Sequence, residues 1–294
     1  MISEVYNTCF SVQFAKFDDN FLNVIICDPP YLYLKNQPLD IEFNEELYFK
    51  ECYRTLKDDG FLIMFGRGTS FYRWNTICAG LGFNFKEEII WNKTSGSTPN
   101  LALQRVHETV SIHTKKNGII NKCKVPYVEE RKVNIRGLNY AINDIKDIMK
   151  VLGNEKLFIE LKEYLESGKR TYLEGKQKHK NRITISIPIN ERSRKIITAI
   201  TVLEGFQEQS IISINRNHYD NIHATEKPIE LMQRLLALCL KKDVPNNVFD
   251  PFLGSGNSRI AAKNLGCNFW GTEINKDFFD IHNKFHNNQH TTLF

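Results

Sequence analysis

Two short apolar runs, each ending in an acidic residue followed by proline, constrain the fold of this chain more than any other feature. Residues 22–27 read LNVIIC and lead into Asp28, and residues 247–249 read NVF and lead into Asp250. Runs this short and this apolar are typical of buried strands, and proline ends a strand because it has no backbone N–H. We therefore expect each acid at the end of a strand in a sheet that is covered on both faces.

Helical and strand-like segments alternate around these two runs. Such alternation predicts an α/β fold with a mostly parallel, doubly wound sheet. The spacing of apolar residues predicts helices at 43–60, 70–80, 228–242 and 257–265, and strands at 61–65, 83–91, 108–114, 210–215 and 268–273.

The middle of the chain differs from both ends. Residues 139–167 have the spacing of two amphipathic helices with a break near Gly153, and residues 168–182 are polar and basic. From Lys115 to Arg216 there are 21 Lys and Arg against 12 Asp and Glu, whereas the whole chain has a net charge of only +5. Such a segment would suit a polyanion, although a solvated helical surface explains the charge equally well.

This contrast predicts the domain organisation. We expect a catalytic domain split between residues 1–116 and 210–294, with residues 117–209 forming an inserted, basic, helical or mixed region.

The run that leads into Asp250 continues as a glycine-containing turn. Gly254 and Gly256 permit a tight turn and let backbone N–H groups approach a ligand, and Glu273 ends the next predicted strand. A carboxylate at that second strand tip suits ribose hydroxyls. The loop lacks the third glycine of the pyrophosphate fingerprint, which argues against NAD. An ordinary turn with a surface glutamate remains the simpler alternative.

The run that leads into Asp28 continues as Pro29-Pro30-Tyr31. An exocyclic amine on a nucleobase is a poor nucleophile because its lone pair is delocalised into the ring. The Asp28 carboxylate and the Pro29 carbonyl could accept its N–H groups, and Tyr31 offers a face on which a base can stack. A strand-capping turn is the alternative for this tetrapeptide.

Cysteine usage and the first residues predict the compartment. The seven cysteines include no C-x-x-C pair, which favours reduced thiols over a disulfide framework or a metal site. The start MISEVYNTCF has no basic region followed by an apolar stretch, and no apolar run is long enough to span a bilayer. We expect a cytoplasmic protein without a metal.

Together these motifs resemble those of the amino-DNA methyltransferases, specifically the permuted beta group, in which the catalytic motif precedes the cofactor motif. ECYRTLKDDGFLIMF, IIWNK and HETVSIHTKK also look like this family's intervening motifs. The resemblance covers about residues 4–116 and 210–285. The four ordered motifs are DPPY at 28–31, HATEKPIELMQRLL at 223–236, DPFLGSG at 250–256 and GTEIN at 271–275.

The resemblance implies a permuted, Rossmann-like class I methyltransferase fold that binds S-adenosylmethionine. It implies a catalytic pocket of Asp28, Pro29, Pro30 and Tyr31. The implied cofactor-binding residues are Asp250, Phe252, Gly254, Gly256, Glu273, Lys227 and Pro228.

The resemblance leaves the roles of several other residues open. His107-Glu108 is interpreted as structural or as pocket wall, and Trp91 and Lys93 as lining a DNA cleft, although Trp91 could be core. Many relatives have an acid 19 positions before the catalytic aspartate to bind the cofactor's adenine, but this chain has Cys9 there. Asp18 and Asp19 are alternatives for that contact.

The resemblance also implies the substrate and partners. DPPY rather than SPPY favours methylation of adenine N6 in DNA, on a flipped base, over cytosine N4. Some relatives from prophages have relaxed sequence specificity, and a homodimer and a cognate restriction endonuclease are open as partners. The inserted region would contact DNA phosphates through Lys169, Arg170, Lys176, Lys178, Lys180, Arg182, Arg192, Arg194 and Lys195.

Three further functions compete with this interpretation. Methylation of RNA or of a protein glutamine also uses Pro-Pro-Tyr pockets, but those families usually have Asn at the first position and place the cofactor motif first. A catalytically silent DNA-binding protein and a nicotinamide-dependent dehydrogenase are the others.

Overall fold

The structure is a computed structural model that describes residues 1–31, 41–94, 102–133, 137–168, 191–215 and 226–289. The chain divides into two compact units. The first comprises residues 1–122 and 209–294, and the second residues 123–208. The insertion predicted from the sequence spans residues 117–209.

The first unit contains one sheet with helices around it. Its strands are β1 (Ser3–Tyr6), β2 (Leu22–Cys27), β3 (Leu56–Gly66), β4 (Asn84–Asn92), β5 (His107–Thr114), β8 (Ile211–Ser213), β9 (Asn247–Asp250) and β10 (Asn268–Thr272). Its helices are α1 (Phe10–Phe14), α2 (Glu45–Thr55), α3 (Gly68–Gly80), α8 (Ile229–Cys239), α9 (Asn257–Asn264) and α10 (Lys276–Gln289).

The sheet order is β1-β10-β9-β2-β3-β5-β4-β8. All neighbouring strands are parallel except β5, which is antiparallel to both β3 and β4. This mostly parallel sheet with helices confirms the predicted α/β, Rossmann-like fold class. Strands β9 and β2 come from opposite ends of the chain and pair directly, with Ile25 opposite Phe249.

The core explains why the two apolar runs become central strands. All six residues of β2 are buried, and an aromatic cluster covers the sheet beside them. Phe14 and Phe17 each meet Phe249 edge to face at 5.1 Å, and Phe17 also meets Trp270. Aromatic side chains bury large apolar areas in such edge-to-face contacts. These contacts hold helix α1 and the residues just after it against the sheet.

Two local predictions are wrong in detail. The helix predicted over 43–60 begins after the Asn44 cap, whose side chain accepts the Leu47 N–H at 3.0 Å, and it ends at Thr55. Strand β3 then starts at Leu56, opposite Leu22, with an irregular register before Phe61. Pairing with β2 outweighs the polar character of KDDG. Strand β1 and helix α1 were not predicted.

The second unit is mainly helical. The two helices predicted over 139–167 are confirmed, and Asn154 caps the second by accepting the Leu157 N–H at 3.1 Å. A small core includes Val151, Leu161 and Ile196. The elements are β6 (Lys124–Val125), α4 (Tyr127–Val133), α5 (Gly137–Leu152), α6 (Glu155–Ser167), α7 (Glu191–Glu204) and β7 (Phe206–Gln207).

Two kinds of feature are missing from the described ranges. Within those ranges, no helix has the length and apolarity needed to span a bilayer. The same residues contain no group of three or more His, Cys, Asp or Glu side chains arranged to hold a metal ion.

Candidate active site

Asp28 and Asp250 lie at one edge of the sheet. Asp28 directly follows β2, and Asp250 is the last residue of β9. Because these two strands are parallel neighbours, their carboxyl ends meet at the same edge, where open α/β sheets bind ligands. Glu273 follows the next strand, β10, at that same edge. The fold therefore brings together two motifs that are more than 200 residues apart in sequence.

Both carboxylate oxygens of Asp28 have partners. The Tyr31 hydroxyl donates to Oδ1 at 2.5 Å, and the Lys227 ammonium donates to Oδ2 at 2.6 Å. The Ser70 hydroxyl donates to the Tyr31 carbonyl at 2.7 Å and fixes the end of the DPPY turn. Within that turn Pro29 is buried, whereas Pro30 and Tyr31 are half-buried.

Lys227 connects Asp28 to a second acid. Its side chain is only 6% exposed, and Nζ lies 3.1 Å from Oε2 of Glu108 on β5. Oε1 of Glu108 lies 3.2 Å from Nζ of Lys93, which is also buried. Lys227 is therefore not a solvated lysine at the start of a helix. Lys93, Glu108, Lys227 and Asp28 form a chain of alternating charge, which we call the ion-pair chain.

The charged groups of the ion-pair chain shift one another's pKa values. Burial raises the pKa of Asp28, and the Lys227 ammonium offsets part of that rise. Burial disfavours the charged form of Lys227, but the carboxylates of Asp28 and Glu108 outweigh it and raise its pKa. Burial also opposes ionisation of Glu108, yet Lys227 and Lys93 lower its pKa. The ion-pair chain thus carries two positive and two negative formal charges at largely buried positions.

Trp91 belongs to the core rather than to a cleft. It is 1% exposed, and its indole N–H donates to the Ile214 carbonyl at 2.9 Å. The ammonium of Lys93 lies 5.8 Å from the Trp91 ring centroid.

The two acids at the glycine loop, Asp250 and Glu273, accept hydrogen bonds from donors that are near in sequence. The Phe252 N–H donates to Oδ1 of Asp250 at 3.0 Å, and the Ser258 hydroxyl donates to Oδ2. Burial raises the pKa of Asp250 to about 7, although both donors favour the ionised form. The Gly254 N–H donates to Oε2 of Glu273 at 2.9 Å and joins the two strand tips. The Asn275 N–H donates to Oε1 at 2.8 Å.

Gly256 occupies a position that no other residue fits. Its φ is +78°, and an added Cβ would lie 2.0 Å from Nδ1 of His282 on α10. The His282 ring in turn lies 3.2 Å from the Ser255 carbonyl. Helix α10 therefore packs against the glycine loop through His282. Only glycine at position 256 permits this close approach.

The segment before α8 contacts both motifs. The Asn257 amide donates to the Lys227 carbonyl at 2.8 Å and to Oε1 of Glu226 at 2.8 Å. The Lys227 side chain reaches Asp28, and Pro228 is the N-cap of α8. Asn257 was not predicted as a site residue, although its place at the start of the helix after the glycine turn was visible in the sequence.

Phe252 points into the aromatic cluster. Its ring centroid lies 5.5 Å from that of Phe10, 5.4 Å from that of Phe43 and 5.4 Å from that of Tyr48. This packing anchors the loop beside helix α1.

The turn that ends at Cys9 lies beside Glu273. The Glu273 N–H donates to the Tyr6 carbonyl at 3.0 Å, and the Asn7 amide donates to the Glu273 carbonyl at 2.9 Å. Asp19 lies before β2, at the opposite edge, and pairs with Arg54 at 2.7 Å. Asp18 and Asp19 are therefore excluded as replacements for the acid missing at Cys9.

Three of the predicted DNA-binding residues are described, and each has an acidic partner within the second unit. Arg192 pairs with Glu160, Arg194 with Asp147 at 3.5 Å, and Lys195 with Glu191 at 2.7 Å. The other six lie outside the described residues: Lys169, Arg170, Lys176, Lys178, Lys180 and Arg182.

The family model and the relatives that match this sequence are DNA methylases or methyltransferases. The family model described as DNA methylase matches residues 22–284. The type II methyltransferase M.HinfI of Haemophilus influenzae is 25% identical over 243 residues, which are 81% of this chain and 49% of that protein. The chain therefore spans about half the length of that relative.

Solved structures are similar in fold. The complex of M1.HpyAVI with SAM superposes with a TM-score of 0.53 at 16% identity, over 97% of this chain and 99% of that one. The cytosine-N4-specific PvuII DNA methyltransferase has a TM-score of 0.53 at 13% identity, over 98% and 94% of the two chains.

Proposed function

This chain belongs to the DNA methylase family whose model matches residues 22–284, and from that premise we propose that it transfers a methyl group from S-adenosylmethionine to N6 of adenine in DNA. The observation that carries the proposal is the meeting of Asp28 and Asp250 at the ends of adjacent parallel strands. A donor at one tip and an acceptor at the other would be held in line by the sheet itself.

The residues at the glycine loop fit this cofactor. Glu273 is half-buried, and each of its oxygens accepts one backbone N–H, so lone pairs remain for ribose hydroxyls. The buried Asp250 keeps the loop in shape through its bonds to Phe252 and Ser258. When bound, S-adenosylmethionine supplies a methyl group on a sulfonium, which is activated for direct transfer. Lys227 and Pro228 border the loop from the side of α8.

Asp28, Pro29 and Tyr31 are proposed to act on the target amine. The Asp28 carboxylate and the Pro29 carbonyl accept its N–H groups and favour a nitrogen with an available lone pair. A base in a duplex must first be flipped out, at a cost of a few kcal/mol. Tyr31 lies with its ring 6.1 Å from that of Trp74, and the proposal gives it the stacking face.

The inserted region is proposed to hold the DNA backbone. Its basic side chains would contact phosphates rather than specify bases, which fits the excess of positive charge between Lys115 and Arg216. Arg194 is the described member of the predicted set that is most accessible, with a side chain 60% exposed.

Adenine is favoured by the aspartate at the first position of DPPY. Cytosine N4 is the alternative, since the PvuII enzyme of that specificity has a similar fold. Plasmid DNA treated with the protein and S-adenosylmethionine, then analysed as nucleosides, separates the two. N6-methyladenine is expected, N4-methylcytosine would replace the proposal by the alternative, and unmodified DNA would favour a silent DNA-binding protein.

Replacing Asp28 tests the assigned role. Asp28→Ala is expected to lower the rate of methyl transfer by about 100- to 1000-fold, because an acceptor aimed at the reacting nitrogen is lost. Its affinity for S-adenosylmethionine, measured by calorimetry, should stay close to that of the wild type. Asp18→Ala, an exposed aspartate before the same strand at the opposite edge, is the matched control. Full activity in Asp28→Ala would refute the role.

A further inference from the structure

Each carboxylate oxygen of Asp28 already accepts one hydrogen bond: Oδ1 from Tyr31 and Oδ2 from Lys227. Each oxygen keeps a second lone pair, so a target amine that donates to Asp28 shares an oxygen with one of these donors or displaces it. Lys227 is the partner with another anion in reach, since Glu108 lies 3.1 Å from its ammonium.

The second anion changes the energetics of that exchange. A buried ammonium that loses its only carboxylate is left unpaired, which costs several kcal/mol. Lys227 instead remains paired with Glu108 when its contact with Asp28 loosens. Glu108 is itself held by Lys93 at 3.2 Å, so its carboxylate stays in place during the exchange.

We infer that Glu108 is a positioning residue for methyl transfer, which holds the Lys227 ammonium beside Asp28 and keeps it paired when a target amine takes an oxygen of Asp28. This inference rests on the proposed function. Glu108 does not touch the reacting atoms; it acts through Lys227.

The groups that face Asp28 and Lys227 define the expected pH dependence. Removing the negative charge of Glu108 lowers the pKa of Asp28, because a nearby anion disfavours its ionised form. It also lowers the pKa of Lys227, because a nearby anion favours the ammonium. Asp28 is bonded to Tyr31 from the same turn and interacts electrostatically with Cys27 from β2 and Asp250 from β9. The Lys227 ammonium lies 5.1 Å from the Phe65 ring centroid on β3, and Lys93 lies beyond Glu108.

The test variant is Glu108→Gln in the full chain. Its kcat for methyl transfer is expected to fall by roughly 10- to 100-fold, as misplacement of a reacting group does, with unchanged affinity for S-adenosylmethionine. The acid limb of the pH profile of kcat, which Asp28 sets, should move to lower pH, and loss of packing alone would not cause this. Glu108→Asp keeps the charge and should recover part of the rate with the acid limb near its wild-type position; it also serves if Glu108→Gln does not fold.

A double variant separates positioning from charge balance. Lys93→Gln combined with Glu108→Gln removes one charge of each sign and should regain stability lost in Glu108→Gln. Its kcat should stay low, because Lys227 still lacks its second carboxylate. A kcat that returns with the charge balance, or an unmoved acid limb in Glu108→Gln, would overturn the inference but not the proposed function. If the wild-type protein methylates no base, the proposed function fails and the inference falls with it.

Discussion

The two halves of the sheet edge hold their acids by different means. In the cofactor half, Asp250 and Glu273 accept from backbone N–H groups and a hydroxyl that lie 2 to 19 residues away. In the target half, Asp28 and Glu108 are paired with ammonium groups, and the lysine that reaches Asp28 is 199 residues away, although the nearby Tyr31 hydroxyl also donates to Asp28. Local backbone donors are part of the loop's own conformation, whereas ion pairs between distant segments exist only in the folded protein.

This difference has energetic and functional consequences. Backbone N–H groups cannot leave the acids they bind without unfolding the loop, so the cofactor half has one arrangement. Lysine side chains have rotatable stems, so the target half can exchange partners while staying charge-balanced. Under the proposed function, the half with local donors binds the cofactor, and the half with exchangeable ion pairs binds a base that enters and leaves.

Among the variants that test this comparison, Lys227→Met is expected to have the largest effect. It leaves the two buried carboxylates of Asp28 and Glu108 without their shared cation, and breaking such a buried pair costs about 3–5 kcal/mol. The free energy of unfolding, measured by urea denaturation, should fall by that amount. Lys242→Met, at an exposed lysine just beyond the same helix, should change it by less than about 0.5 kcal/mol. Equal stability of the two variants would show that the ion-pair chain is not structural.

Glu273→Gln should affect the other half in a different way. Each oxygen of this carboxylate accepts a backbone N–H, and an amide replaces one acceptor by a donor. The loss of a charged acceptor is worth about 1.5–3 kcal/mol, so affinity for S-adenosylmethionine should fall by roughly 10- to 100-fold. The rate at saturating cofactor should stay near that of the wild type, unlike the rate of Asp28→Ala. Glu46→Gln, at an exposed site, is the control.

Per unit of pH, the smallest expected effect is a slope in the free energy of unfolding, although it adds up to about 4 kcal/mol between pH 4 and pH 7. The pKa of Asp250 is about 7 in the folded protein and about 3.9 in an unfolded chain, so the folded state binds the extra proton between these values. The contribution of Asp250 to stability is therefore fully present below pH 4 and is lost as pH rises to about 7. Unfolding measured from pH 4 to 8 should lose up to about 1.4 kcal/mol per pH unit from this group. Asp250→Asn should remove that part of the slope; an identical slope in the variant would contradict the assignment.

The same contrast explains what could be read from the sequence. Strands β2 and β9 were predicted because apolar runs and the prolines after them are local signals, and the glycine turn was visible for the same reason. The link from Lys227 to Asp28 was not visible, since no spacing in the sequence reports a pair formed by tertiary packing. The start of β3 at Leu56 was missed likewise, because its partner Leu22 lies on another strand.

The segment that begins α8 has a thermodynamic consequence. Through its carbonyl, Lys227 is bonded to the glycine loop at Asn257, and through its ammonium it is bonded to Asp28. Under the proposed function this segment joins the two ligand sites, so a modest cooperativity between the methyl donor and DNA is expected. Linkage is reciprocal: whatever factor the methyl donor applies to the affinity for DNA, DNA must apply to the affinity for the methyl donor.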